Sequence, residues 1–269
     1  MARIIAISNQ KGGVGKTTTA VNLSACLAAA EQRVLLVDMD PQGNATSGLG
    51  VDKQSEQGSL YDVLVHDEPM KRVIQRTDLR TLHVAPSNTD LVGAEVELTS
   101  ALAREHRLAD KLEAVEGDYD WILIDCAPSL GLLTVNALTA ADAVLIPLQT
   151  EYYALEGLGE LTRTIRLIQR RLNPRLVLEG VLLTLYDGRN RLNQQVSADV
   201  RRHFGDKVFE NLIPRNVRLG EAPSFGKPII LYDIDAKGAQ AYMGLARELL
   251  ARHGIQVSRQ TLTDAALSA

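Results

Sequence analysis

Residues Ser8–Thr18 read Ser-Asn-Gln-Lys-Gly-Gly-Val-Gly-Lys-Thr-Thr. Before them, Ile4–Ile7 is a short β-branched apolar run of the kind that forms a buried strand. After them, Thr17–Ala30 is rich in alanine and leucine and reads as a helix. Strand, glycine loop and helix in that order predict a phosphate-binding loop. Gly12, Gly13 and Gly15 free the backbone to curl, so that N–H groups around Val14 point at one anion. The helix N-terminus, at Thr17 and Thr18, adds free N–H groups and its dipole. Lys16 supplies a mobile cation for β- and γ-phosphates, and Thr17 a hydroxyl for Mg2+.

The loop departs from the common pattern at Gln10, where a first glycine would stand. A second lysine, Lys11, follows instead. Two lysines flanking one loop are more positive charge than a single triphosphate needs.

Working outward, apolar runs alternate with helical patterns. The runs are Ile4–Ile7, Val34–Val37, Leu82–Ala85, Trp121–Ile124, Ala143–Pro147, Val177–Leu185 and a weaker Val208–Ile213. This alternation predicts an α/β fold: a single doubly wound domain with a mainly parallel sheet flanked by helices, of the P-loop NTPase type. Ligands of such sheets sit at the carboxyl ends of strands. Asp38 and Asp40 close the second run and Asp125 the fourth, so all three fall beside the loop. A hydrophobic strand ending in aspartate can orient magnesium, which makes Asp125 a metal candidate. Asp38 and Asp40 point to opposite sides of a strand, but the chain turns at Pro41 and both can face the site. The expected domain spans residues 1–254, and a polar tail, 255–269, is expected to fray.

Bulk composition narrows the class. The chain has two cysteines, Cys26 and Cys126, far apart and in apolar surroundings, which argues for a reducing compartment and against a disulfide framework. The first strand starts at once, without the apolar leader of a signal peptide, and no run of about eighteen apolar residues occurs. The net charge of −4 argues against nucleic acid, but its distribution does not. Residues 163–227 hold thirteen Lys/Arg against six Asp/Glu, whereas the rest of the chain is acidic. Such asymmetry hints at a face for a polyanion.

The stretch Lys11–Thr18 resembles the deviant Walker A motif of the ParA/MinD ATPases. Residues 36–46, Leu-Val-Asp-Met-Asp-Pro-Gln-Gly-Asn-Ala-Thr, and 213–228, Ile-Pro-Arg-Asn-Val-Arg-Leu-Gly-Glu-Ala-Pro-Ser-Phe-Gly-Lys-Pro, are similar to the chromosomal ParA (Soj) branch. The likeness runs from about Arg3 to about Leu250. It implies a cytoplasmic, nucleoid-associated, Mg2+-dependent ATPase with weak intrinsic turnover. It also implies an ATP-dependent homodimer that binds double-stranded DNA without sequence preference and is stimulated by a ParB-type centromere-binding protein. On this resemblance Asp40 positions the attacking water and Asp38 joins the magnesium shell. Lys11 reaches the partner's phosphates across the dimer, and Pro214 and Asn216 hold adenine. Arg189, Arg218 and Lys227 match DNA-contacting positions. The guanine-selecting Asn-Lys-x-Asp signature is absent, which favours ATP. Three rivals share the fold. A MinD-like membrane ATPase would need an amphipathic C-terminal helix, whereas the tail has few bulky apolar residues and no aromatic. An iron–sulfur reductase would need paired cysteines. A small-molecule ligase would not need the basic C-terminal third.

Overall fold

The computed structural model describes residues 1–151 and 154–267, with backbone alone at 154–156 and 160. Seven strands form one sheet: β1 (Arg3–Ile7), β2 (Val34–Met39), β3 (Gln75–Arg76), β4 (Leu82–Ala85), β5 (Trp121–Cys126), β6 (Ala143–Gln149) and β7 (Val177–Thr184). Their order is β3-β4-β2-β5-β1-β6-β7, parallel throughout except for the antiparallel edge pair β3–β4. The inner strands are apolar on both faces because helices cover both. The chain winds from β1 towards β2 and β4, then returns through β5 and passes β1 to reach β6 and β7. The direction reverses beside β1, and in such sheets the crevice at that reversal is where ligands bind. Register sets the site: Ile7 lies opposite Asp125, and Asp125 opposite Asp38.

Two expectations are corrected. Residues 208–213 do not form a strand; Val208 makes an isolated bridge to Val181, and the next, Tyr186 to Pro214, falls just beyond them. The amides that would extend a ladder are already used. Glu210 and Asn211 donate their backbone N–H groups to the Glu248 carboxylate at 2.8 and 3.0 Å, and Pro214 has no N–H to give. The tail, in turn, is not frayed through residue 267; positions 268 and 269 lie outside the described residues. Arg259–Leu267 is a helix, and Leu262 and Ala266, one turn apart, are buried against the helix Lys16–Ala29 and the segment Ile229–Tyr232. Replacing the fully buried Leu262 with alanine should therefore cost about 2–4 kcal/mol, as for other core leucines. Urea unfolding checks this, and an unchanged midpoint would mean that the tail helix contributes no packing.

Candidate phosphate-binding site

The loop after β1 is shaped by glycine. Gly13 and Gly15 have φ of +73° and +86°, a left-handed backbone that a β-carbon disfavours. Side chains anchor both flanks of the loop. Asn9 donates its amide to the Pro147 carbonyl at 2.7 Å and accepts from the Lys11 amide at 3.0 Å. Thr184, at the end of β7, donates its hydroxyl to the Val14 carbonyl at 2.8 Å. The helix Lys16–Ala29 then starts with its amide groups facing the bowl of the loop.

The two lysines of the loop are engaged differently. Lys16 is buried, and its ammonium donates to the Lys11 carbonyl across the loop at 3.0 Å. Burial lowers its pKa, opposed chiefly by the charge of Asp125. The Lys11 side chain is half-exposed and ion-paired with Glu151.

The three aspartates differ in how they are engaged. Asp125 is fully buried, and neither carboxylate oxygen has a hydrogen bond of ordinary geometry among the described residues. Burial, and then the neighbouring Asp38, push its pKa well above the usual carboxylate range, with the nearby Thr17 hydroxyl pulling the other way. A buried carboxylate with no hydrogen bond of ordinary geometry is suited to holding a cation. The residues fit magnesium, which takes one or two carboxylates and completes its shell with water and substrate phosphates. Asp125 and Thr17 could supply the protein ligands. Asp38 is also fully buried but is occupied: Thr46 donates to it from its amide at 2.8 Å and from its hydroxyl at 2.7 Å. Burial raises Asp38 to about 6, although these hydrogen bonds oppose the shift. Asp38 thus ties the turn Asp40–Gly43 and the helix Asn44–Gly48 to the end of β2. The Thr46 hydroxyl in turn accepts from the Ser87 amide at 3.0 Å, fixing the same turn to the loop after β4. Asp40 is nearly buried and accepts from the Gln42 amide at 2.9 Å in an aspartate turn.

The remaining candidates occupy separate places. Tyr186, two residues beyond Thr184, pairs with the segment holding Pro214: its amide donates to Ile213 at 3.0 Å, and Arg215 donates back at 3.2 Å. Pro214 and Asn216 are thereby brought to the β7 side of the loop. The Asn216 amide oxygen is buried without a partner, an acceptor free for an exocyclic amino group. Arg189 is almost wholly exposed in the loop before the helix Arg191–Phe204 and forms a two-pronged pair with Asp187 at 3.0 Å. Arg218 bonds Glu221 at 2.9 Å and approaches Asp233 at 3.4 Å. Lys227 stands apart from Arg189. It lines a cavity of about 280 Å³ with Thr17, Thr18, Asn44 and Ser47, against the phosphate loop's own helix.

Sequence reading missed Thr46, Glu151 and Thr184. Thr46 carried a signal, since it follows Asp40-Pro-Gln-Gly-Asn-Ala as the first hydroxyl able to reach back to the strand end. Glu151 and Thr184 carried none, because only the sheet order brings β6 and β7 beside the loop.

The AAA domain family matches residues 2–178. The chain is 59% identical over 252 residues to the chromosome partitioning protein ParA of Myxococcus xanthus, covering 94% of this chain and 89% of that one. It is 58% identical over 251 residues to the sporulation initiation inhibitor protein Soj of Bacillus subtilis, covering 93% and 99%. Among solved structures, cobyrinic acid a,c-diamide synthase from Mycobacterium smegmatis with bound ADP and magnesium superposes with a TM-score of 0.82. Its sequence identity is 41%, over 94% of this chain and 96% of that one.

Proposed function

The chain belongs to the ParA/Soj family of chromosome-partitioning ATPases, and on that premise we propose that ATP closes two copies of it into a dimer that binds DNA without sequence preference. The observation that carries this reading is the half-exposed Lys11 side chain, which pairs outside its own loop. Lys16 is buried and bonds across the loop, whereas Lys11 is held only by a half-exposed pair with Glu151. A surface pair of that kind is worth little, so it is easily exchanged for the phosphates of a second subunit.

In this reading the loop amides and Lys16 hold the β- and γ-phosphates, and Thr17 and Asp125 hold magnesium. When bound, magnesium neutralises charge on the phosphate oxygens. Asp40 orients the attacking water in line with the leaving group. Thr46, by joining Asp38 to the turn that carries Asp40, keeps that water-holding group at a fixed distance from the loop. Asn216 accepts from the amino group of adenine, with Pro214 against the ring. Lys11 stabilises charge across the interface, so that the complete site exists only in the dimer.

Arg189, Arg218 and Lys227 supply the DNA contacts, which go to phosphates and carry no sequence code. Arg189 exchanges Asp187 for a phosphate. A ParB-type partner stimulates hydrolysis and returns the chain to its monomer, which places the working protein on the nucleoid. Among the described residues no helix is long and apolar enough to cross a membrane. Among the described residues the tail helix turns Leu262 and Ala266 to the core and exposes one large apolar side chain, Leu267, which is little for the membrane-binding face of the MinD-like alternative.

The test is a salt titration of DNA affinity with ATP present, for wild type and Arg189→Glu, on two unrelated duplexes. Each bound phosphate contributes about 0.9 to the slope of log affinity against log salt. Losing one contact per subunit should flatten the slope by roughly two per dimer, equally on both sequences. Gel filtration with ATP should still show the dimer. A wild type that neither dimerises nor binds DNA with ATP overturns the reading, and a sequence-dependent loss overturns its non-specific part.

A further inference from the structure

A cleft of about 890 Å³ opens between the helices Ala154–Arg171 and Arg191–Phe204, away from the phosphate loop. Both helices pack on one face of the sheet, the first through Leu158, Leu161, Ile165 and Ile168, the second through Val196 and Val200. Arg163 and Arg166 form one wall, and Arg202 and His203 stand on the other above Phe204. Asp199 is the one carboxylate on the described lining, and it is already paired with Arg202 at 2.9 Å. Among the described residues neither Arg163 nor Arg166 has a carboxylate within ion-pair distance.

The helix pattern sharpens this. The helix Ala154–Arg171 carries Glu156 and Glu160 in its first two turns, after which residues 161–178 contain five arginines and no Asp or Glu. Arg163, Arg166 and Arg170 are all exposed and lie at i, i+3 and i+7, one stripe opposite the buried leucines and isoleucines. Like charges three and four residues apart repel, so a stripe of this kind costs stability unless an anion compensates it. From Arg163 to Arg170 it extends about 10 Å along the axis, about three base-pair steps of duplex DNA. Its cations are exposed along the helix. A small anion would find no cage there, whereas a polyanion with regularly spaced charges would meet each arginine in turn.

We propose that this arginine-lined cleft is a second docking surface for the phosphodiester backbone of duplex DNA, separate from Arg189, Arg218 and Lys227. The proposal rests on the DNA-binding reading above. In it, Arg163 and Arg166 bond successive phosphates along one strand and Arg202 reaches the facing strand. The cleft thereby adds affinity and salt dependence but no sequence preference.

The test compares wild type, Arg163→Glu/Arg166→Glu and Arg163→Lys/Arg166→Lys on one duplex with ATP. The glutamate variant should flatten the salt slope by about 1.8 for each engaged subunit and weaken binding about tenfold or more near 0.1 M salt. The lysine variant keeps the charge and should stay within about threefold of wild type. Turnover without DNA and the ATP-dependent dimer should match wild type in both, because neither residue touches the phosphate loop. If wild type binds DNA and the glutamate variant binds with the same slope and affinity, the cleft is not a DNA surface. Loss of stimulation by the ParB-type partner with DNA affinity unchanged would likewise overturn the proposal and make the cleft a protein-docking surface. If wild type itself fails to bind DNA, while Arg189→Glu is equally inert, the DNA reading falls and takes the cleft with it.

Discussion

Lys16→Ala is expected to abolish ATP binding. The Lys16 ammonium is the only buried cation among the described residues of the loop, and it already spans the bowl to the Lys11 carbonyl at 3.0 Å. A hydrogen bond from a charged donor contributes about 1.5–3 kcal/mol, and Lys16 would make two, to the β- and γ-phosphates. Losing both corresponds to an affinity decrease of about 150- to 20,000-fold. The neighbourhood adds to the loss. Asp125 and Asp38 face each other across β5 and β2, and Lys16 is the nearby cation that favours the ionised form of Asp125. Without it the Asp125 carboxylate is driven further towards the protonated form, in which it holds magnesium poorly. Calorimetric titration with Mg-ATP is the direct measurement, and an affinity within about threefold of wild type would remove the loop as the nucleotide site.

Asp40→Ala should leave ATP binding nearly intact and lower turnover about 100- to 10,000-fold, the range expected when a positioned acid–base or water-orienting group is lost. The phosphate cradle is untouched, because Lys16, the loop amides and Asp125 all stand on other strands' ends. The variant should therefore accumulate as an ATP-bound dimer on gel filtration. The Asp40 carboxylate also accepts from the Gln42 amide at 2.9 Å, so alanine loosens the turn as well. Asp40→Asn separates the two effects, since its amide oxygen can keep that hydrogen bond without a negative charge. Both variants should be inactive. Restored turnover in the asparagine variant would reduce Asp40 to a turn residue.

The parts of the fold and site that were legible in the sequence were those written in adjacent residues. Glycines, two lysines and a hydroxyl between an apolar run and an alanine-rich helix can be read without knowing the fold, and strand-ending aspartates mark the same edge of a parallel sheet. Contacts made by chain crossing were not legible. Nothing near Lys11 in sequence points to Glu151, which arrives on β6 about 140 residues later. The short helix Leu60–Val65 did carry a local signal, Ser59 and Asp62 in a capping box, inside a stretch that otherwise lacks periodicity. Residues 208–213 misled because their apolar content suits a strand, while Glu248, on a distant helix, takes the amides that a strand would need. The tail misled because two small or apolar residues sufficed to seat it in a groove that only the folded body provides.

The position of β1 has a consequence for the chain's birth on the ribosome. The first strand to be made lies between β5 and β6, which end at Cys126 and Gln149. At about 5–20 residues per second, β1 waits roughly 7–30 seconds for both neighbours to be synthesised. During that time its apolar faces and hydrogen-bonding edges are open, and the loop that follows it has no walls. A nascent chain that has not yet reached about residue 150 should therefore be a client for chaperones and blind to nucleotide, however complete the loop after β1 is.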